Sequence, residues 1–512
     1  VTLRWWPLVL FIWVLVACTR APDTTPISSS APSPPSASDR RTATSGPDPV
    51  SPAATLPPSP ASPAAMPIPT PSGAPTDIYV VQPGDTLSGI AYYECGCDVE
   101  ELMAINHISD ASLLQAGQPL LLPVKTDRVG PRLKLLPDSE VVYGPAYVDF
   151  DVAAFVARQG GYLAHYSERI NGREHSGAEV VEVVARNFSV GPRVLLALLE
   201  HQSGWVTGMP QGNAAFNFPL SLGRGGQAGL YFQLGWAANR INAGYYGYKR
   251  AGVVAYTFAD RTRALSAPGL NAGTVGIQNV LALTNDWESW QAEVDRNGFL
   301  RTYETLFGDP RTYAVEPLVP ATLVQPELFL PWPGGHTWYL SGGPHGAWFS
   351  GSAWAALDFA PPDVRGHCGI SDEWATAAAA GLVVRSDDGQ VLIDLDSDGH
   401  EQTGWVLFYL HIASVERVAE GTRLAQGDRV GHPSCEGGAG ESSHVHIARR
   451  YNGEWIAADG PVPMILSGWR PVNGLGEYEG KLIKGSEVRE ACECWEETLN
   501  AIVSDNVALR TE

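Results

Sequence analysis

Gly342-Gly343-Pro344-His345-Gly346, Trp354-Ala355-Ala356-Leu357-Asp358-Phe359 and Ser442-Ser443-His444-Val445-His446-Ile447 are three pieces, well apart in the chain, that decide its reading. In the second and third, apolar and small residues surround the polar ones, which predicts strands. The first reads as a Gly-rich turn. Residues i and i+2 of a strand point to one face, so His444 and His446 project together with Val445 turned away. A His from a loop, an Asp from a strand and one His of this pair offer N, O and N donors. Zinc takes three such ligands at a catalytic site and keeps a fourth position for water.

In this order, His345, Asp358 and His444-x-His446 resemble the zinc signature of the lysostaphin-type (LytM-like, duplicated hybrid motif) metallopeptidases. Trp405-Val406-Leu407-Phe408-Tyr409-Leu410-His411 is similar to the family's strand bearing a further active-site His. Gly421 to Gly431 supplies its two glycine turns. The resemblance covers roughly residues 330–470 and implies zinc held by His345, Asp358 and His446. It implies that His411 and His444 face the water and the developing oxyanion, although His444 and His446 can exchange roles. The sequence departs from the pattern at one place, where Trp348-Phe349-Ser350-Gly351-Ser352-Ala353 lengthens the interval between first ligand and Asp. His336 therefore competes with His345; the glycines around His345 favour it. No HExxH segment is present, so a helical zinc site of that type is not expected.

With 512 residues the chain is too long for one hydrophobic core, and three or so domains are expected. A net charge of −21 argues against nucleic acid or an anionic lipid surface as the main partner. It leaves an uncharged glycan or peptide open.

At the N-terminus, Arg4 precedes an almost wholly apolar run from Trp5 to Ala17. That run is short for a membrane span and reads as a secretory signal over residues 1–17. Leu15-Val16-Ala17-Cys18 resembles a bacterial lipobox, which implies lipidation at Cys18 and an exported lipoprotein that meets the membrane through its lipid alone. The alternative is a plain signal with an incidental cysteine. Export implies an oxidising compartment. Setting Cys18 aside leaves six cysteines. Cys368 and Cys435 flank the proposed cleft in sequence and are expected to pair. Cys95 with Cys97 and Cys492 with Cys494 are expected to pair internally or with one another.

Residues 18–76, rich in Pro, Ser, Ala and Thr, cannot bury enough apolar surface to fold and form a spacer. Residues 77–124 then read as strand, helix, helix, strand. Tyr79-Val80-Val81, Pro83-Gly84-Asp85-Thr86-Leu87, Ile105-Asn106 and Gly117-Gln118-Pro119-Leu120 resemble the LysM module, which binds N-acetylglucosamine-containing glycans such as peptidoglycan. The resemblance implies a groove at Gly84, Asp85, Thr86 and Leu87. Asp85 and Thr86 also suit a helix N-cap, the bland alternative.

Residues 134–325 carry helical periodicity at Asp151 to Tyr166, Ser176 to Asn187 and Pro192 to Glu200. Asn187 to Trp205 is loosely similar to lysozyme-like transglycosylases, whose catalytic Glu stands immediately before a Ser. Here Gln202 precedes Ser203, and an amide is no general acid. Glu200 lies on nearly the opposite helical face, so a non-catalytic helical domain is favoured. Residues 330–470 then form an antiparallel sheet with one face open as a cleft. Asp394, Asp396 and Asp398 suggest a calcium loop. Trp405 stands where an EF-hand needs Glu, so a polar turn is preferred. In residues 471–512, Glu487 to Glu497 is expected to be a short helix.

The expected architecture is thus multidomain α+β: a βααβ LysM module, a mainly helical middle and a C-terminal antiparallel sheet. The function it implies is a wall-targeted zinc endopeptidase cutting peptidoglycan stems or cross-bridges. Its rivals are a non-catalytic wall-binding scaffold with a degenerate peptidase fold, and a two-activity hydrolase whose helical domain cuts glycan.

Overall fold

The computed structural model describes residues 76–506 except 82–84, 96, 112–113, 115–118, 125, 223–227, 439 and 441. The signal segment, Cys18, nearly all of the spacer and Gly84 therefore lie outside the described residues.

Strands Thr76–Val80 and Pro119–Pro123 pair antiparallel and enclose helices Leu87–Ile90 and Val99–Ile105. Their core is Val81, Leu87, Ile90, Ala91, Leu102, Leu120 and Leu122. Thr86 caps the first helix, accepting from Gly89 N at 3.1 Å, which satisfies one of the helix's unpaired donors. Leu87 is buried in this core, so its side chain packs the module rather than lining a groove. Asn106 bonds Leu102 O and Leu121 in both directions, tying the second helix to the returning strand.

The middle is helical. Ser176 and Glu179 form a reciprocal cap that starts helix Gly177–Phe188, and Pro192 opens helix Pro192–Ser203. Pro192 through Leu199 are all buried, as the crowding of leucines predicts. Around them pack helices Leu230–Ala251, Ala272–Ala282 and Phe299–Phe307. One buried carboxylate holds the arrangement: Glu140 receives both arms of Arg193, at 2.7 and 2.8 Å, and the hydroxyls of Tyr147 and Tyr303. Asp151 to Tyr166 is α-helical over Val152–Gln159, which Gly160, left-handed at φ 67°, ends, and a 3-10 helix follows at Tyr162–His165.

The C-terminal sheet runs, edge to edge, Arg423–Leu424, Gly381–Asp387, Gln390–Asp394, Trp405–Leu410, Val445–Tyr451, Trp354–Ala360, Thr337–Gly346 and Ala501–Val503. Each pairing is antiparallel. One face packs Ile393, Leu407, Tyr409, Ile447 and Phe359 against Trp332, Trp338, Met464 and Leu482. The opposite face was expected to be open. It is covered: Leu392, Val406, Phe408 and Ala448 share one continuous core with the helical domain. Burial on both faces explains why Val406–Leu410 reads as a continuous apolar run rather than an alternation.

Two further expectations change. Gly342–Gly346 is the end of a ten-residue strand, with register shifts after Leu340, Gly342 and His345, and not a loop. Glu487–Glu490 is a strand, in a three-stranded sheet with Arg470–Asn473 and Gly480–Lys484, and not the start of a helix. Gly485-Ser486 makes the two-residue turn, with Gly485 at φ 60°. The cross-strand ladder outweighs the weak helical propensity of a segment this short.

Candidate metal centre

Asp358 and His446 are direct cross-strand partners, and Leu410 faces His446 on its other side. Alternation therefore puts the Asp358 and His446 side chains on one face at adjacent positions. His345 arrives from the next strand, opposite Ala356, because the bulged register swings it over Asp358. Gly342 also faces Asp358; a Cβ there would stand 2.8 Å from Asp358 Oδ2. The bulge and the missing side chain together allow three polar groups to meet.

His345 Nε2 lies 3.0 Å from His446 Nδ1 and 3.3 Å from Asp358 Oδ1, and His446 Nδ1 lies 3.1 Å from the same oxygen. The three side chains are almost wholly buried. The remaining ring nitrogens are committed. His345 Nδ1 bonds Gly343 O at 2.8 Å, and His446 Nε2 bonds Ala347 O at 3.0 Å. A carbonyl only accepts, so those nitrogens carry the protons and the inward-facing ones present lone pairs. Asp358 Oδ1 has no hydrogen-bond donor. Two lone pairs and an orphaned carboxylate oxygen that converge inside a protein call for a cation. The outer carbonyls fix the tautomers as they do in zinc sites. The donor set N, O, N fits zinc, which takes three such ligands at a catalytic site.

Electrostatically the centre favours positive charge beside Asp358. Burial works against the Asp358 charge, yet the His345 and His444 imidazoles hold its carboxyl well below the usual range. Burial likewise opposes a charge on His345, and the Asp358 carboxylate outweighs it and raises the imidazole. Burial lowers His446.

His411 and His444 stand beside the cluster with ring centroids 4.4 Å apart. His411 Nδ1 bonds Glu436 O at 2.9 Å and His444 Nδ1 bonds Ser442 O at 2.8 Å, leaving each Nε2 as the basic nitrogen. His444 Nε2 is 3.7 Å from Asp358 Oδ2. Burial, and then the neighbouring imidazoles of His444 and His446, push His411 down to about 3, so it is neutral at ordinary pH. Cys368 and Cys435 are bonded, joining the segment after Asp358 to the one before His444. Cys95–Cys97 and Cys492–Cys494 are bonded internally.

His336, the competitor for first ligand, pairs with Glu373 at 2.7 Å and takes no part in the cluster. Asp394, Asp396 and Asp398 gather, but Asp394 is spent on the turn, accepting from the amides of Asp396, Ser397 and Gly399. Burial raises its carboxyl to about 6. Glu200 accepts from the amides of Val206 and Thr207 and from the Thr207 hydroxyl, capping the chain after helix Pro192–Ser203.

One neighbour escaped the sequence reading. Tyr478, in the C-terminal extension, stacks on His345 with centroids 4.1 Å apart and planes 21° from parallel. Gly343 N donates to Tyr478 O, and Gly346 N to the Glu477 carboxylate, so this segment clamps both sides of the ligand. The signal was Gly474-Leu-Gly-Glu-Tyr-Glu-Gly480, a glycine-rich turn around one aromatic residue.

Residues 79–123 match the LysM domain family, and residues 134–321 match the LasA N-terminal domain family. No curated protein matches the chain. Among solved structures, the M23 metalloprotease pseudoalterin from deep sea is 24% identical, over 33% of this chain and 96% of that one, with a TM-score of 0.28. The catalytic domain of lysostaphin from Staphylococcus simulans is 18% identical, over 24% and 87%, with a TM-score of 0.18. A zinc-containing peptidase from Vibrio cholerae is 17% identical, over 27% and 41%, with a TM-score of 0.18. The reading of the centre rests on its own geometry.

Proposed function

We propose that the chain is a zinc endopeptidase that hydrolyses peptide bonds in the stems or cross-bridges of peptidoglycan, with the LysM module holding it on the wall. The observation that carries this is the convergence of His345 Nε2, Asp358 Oδ1 and His446 Nδ1 within 3.3 Å of one another, each ligand oriented from behind.

Zinc bound there supplies a Lewis acid and lowers the pKa of water to about 7. The rest falls to the chain. One carboxylate among the ligands leaves the site net positive. His411, neutral and backed by Glu436 O, orients the attacking water through Nε2. His444, backed by Ser442 O, takes the proton and returns it to the leaving amine. Lipidation at Cys18 and the 18–76 spacer would hold the enzyme near the outer surface of a membrane and facing the wall. Among the described residues no helix is long and apolar enough to cross a bilayer.

The test is metal content and product analysis together. The purified chain is expected to hold one zinc and to release peptide fragments from peptidoglycan, identified by mass spectrometry, until a chelator is added. His446→Ala should lose metal and activity; His444→Ala should keep the metal and lose turnover by about two orders of magnitude or more. A metal-free chain with no products would instead favour the scaffold reading.

A further inference from the structure

The inserted segment Trp348–Ala353, the departure from the family pattern, is where the helical domain meets the metal centre. Ala347 O holds the ligand His446. Two residues on, Phe349 stacks on Phe188 of the helical domain, centroids 5.4 Å apart and planes 20° from parallel. Gly351 N then donates to Asn239 Oδ1 at 2.8 Å. Asn239 lies on helix Leu230–Ala251. The start of that helix reaches the other flank: burial and the Asp388 carboxylate raise the Tyr231 phenol, and Asp388 sits in the hairpin beside Gly389, whose carbonyl accepts from Ile412 N, the residue after His411. The stretch from Tyr231 to Asn239 therefore lies between two segments that flank the ligand His446 on one side and His411 on the other.

Between these two anchors the helix leaves two aromatic rings in solvent. Phe232 is 56% exposed and Trp236 42%. They lie four residues apart, about 6 Å along one helix face. Phe349 adds a third ring, 64% exposed, on a backbone at φ 58°. A bulky residue in the left-handed region is strained, and such strain persists where the surroundings hold it. Ser352 holds it here, its hydroxyl donating to Phe349 O and accepting from Trp348 N. The folded chain thus holds a strained, exposed apolar ring two residues from the carbonyl that orients His446.

We propose that Phe232, Trp236 and Phe349 form a subsite for the glycan strand of the substrate, a chain of β-linked N-acetylated amino sugars, while its peptide lies across the metal centre. This rests on the peptidase reading. A pyranose presents an apolar C–H face that a flat neutral ring buries, and successive rings serve successive sugars. The segment that orients His446 also carries Phe349 and is bonded to Asn239 on the helix that bears Phe232 and Trp236, which favours a substrate that extends beyond the scissile peptide. The chain's net charge of −21 disfavours anionic partners in general and is indifferent to a neutral sugar. The LysM match shows that the same chain carries a module of a sugar-binding family.

The full-length chain, its Phe232→Ser/Trp236→Ser double variant and Phe349→Gly are compared on insoluble peptidoglycan and on a soluble, sugar-free stem peptide. Glycine accepts the left-handed backbone, so Phe349→Gly removes a ring without stressing the fold. The ratio of wall to peptide turnover is expected to fall about tenfold in both variants, through KM. Calorimetric titration with a β-1,4 tetramer of N-acetylglucosamine is expected to show two sites in the parent, one of them the LysM groove, and one in the double variant. An unchanged ratio with unchanged stoichiometry overturns the proposal. So does an equal loss on both substrates, which would make the rings part of the catalytic cleft. A change in sedimentation alone also overturns it, since the face would then bind a second copy of the chain. Should the parent cut neither substrate, the peptidase reading fails and the sugar stoichiometry still decides the subsite.

Discussion

At the scale of single residues, the centre depends on one atom that is absent. Gly342 lies opposite Asp358 in the ladder, and any β-carbon there would come within 2.8 Å of Oδ2 and 3.1 Å of the Asp358 Cβ. Asp358 is buried among His345, His444 and His446, so it cannot swing away without leaving its ligand position. Gly342→Ala is therefore expected to weaken zinc by about tenfold or more, the range seen when support of a ligand is disturbed. Competition with a chromophoric chelator measures it, and the far-ultraviolet dichroism should stay that of the parent. Equal zinc affinity in the variant would show that the ligand geometry tolerates the displacement. The His and Asp of this cluster were legible in the sequence because their chemistry restricts them to few roles and because an i, i+2 pair fixes a face. Tyr478 was not legible. A ring that acts by stacking leaves no spacing rule, and its contact with His345 exists only once the extension folds back.

At the scale of elements, the segments that carry Cys368, Cys435 and Glu436 beside the metal centre are irregular and pinned to each other. Cys368–Cys435 closes a loop with a sequence separation of 67. Ser443 reinforces the clamp, donating through its hydroxyl to Gly369 O and accepting from Gly369 N at 2.9 Å. Glu436, next to Cys435, supplies the carbonyl behind His411, while the ligands His345, Asp358 and His446 stand on strands that hold themselves. Removing the bridge should then separate two effects. Chain-entropy arithmetic for a loop of this length gives a loss of about 4 kcal/mol. The Cys368→Ser/Cys435→Ser variant is expected to unfold at lower denaturant by that order, to retain zinc, and to lose turnover because His411 and His444 are no longer held. Retained zinc with parental turnover would mean that the clamp serves stability alone. The elements themselves were readable where the apolar pattern is strong, as in the continuous run of Trp405–Leu410 and the leucine-rich Pro192–Ser203. They were misread where a bulge or a turn decides: a glycine-rich piece looks like a loop until its ladder is known, and Val488 in a short polar run becomes strand only through its cross-strand partner Ile483.

At the scale of the whole molecule, the helical domain and the catalytic sheet share a core and, inside it, a charged knot that no local pattern announces. Glu401 is buried and bonds Arg186 of the helical domain at 2.6 Å and Arg385 of the sheet at 2.6 Å, with Arg450 3.5 Å away. Arg385 also reaches Asn187 Oδ1, and Arg450 the Arg186 carbonyl. The sequence suggested a sheet with one face open, because the partner of Arg385, Asn187, lies 198 residues away in the chain. Burial alone would raise the Glu401 carboxyl, but Arg385, Arg186 and Arg450 hold it below its ordinary 4.5. The sign follows from that depression. The unfolded chain binds the proton more readily than the folded one, so Glu401 stabilises the fold above its unfolded pKa. That contribution disappears as pH falls through the lower folded value. Hydrogen exchange at Val406 and Phe408, on the sheet face under the helices, is expected to stay slow down to about pH 5 and to quicken below about pH 4. Glu401→Gln strips the knot of its anion and leaves Arg385 and Arg450 buried with uncompensated charge. The variant should lose about 3 kcal/mol at neutral pH and lose most of the acid step with it. If the step persists unchanged in Glu401→Gln, other carboxylates drive the opening, and the knot does not govern how the helical domain stays on the sheet.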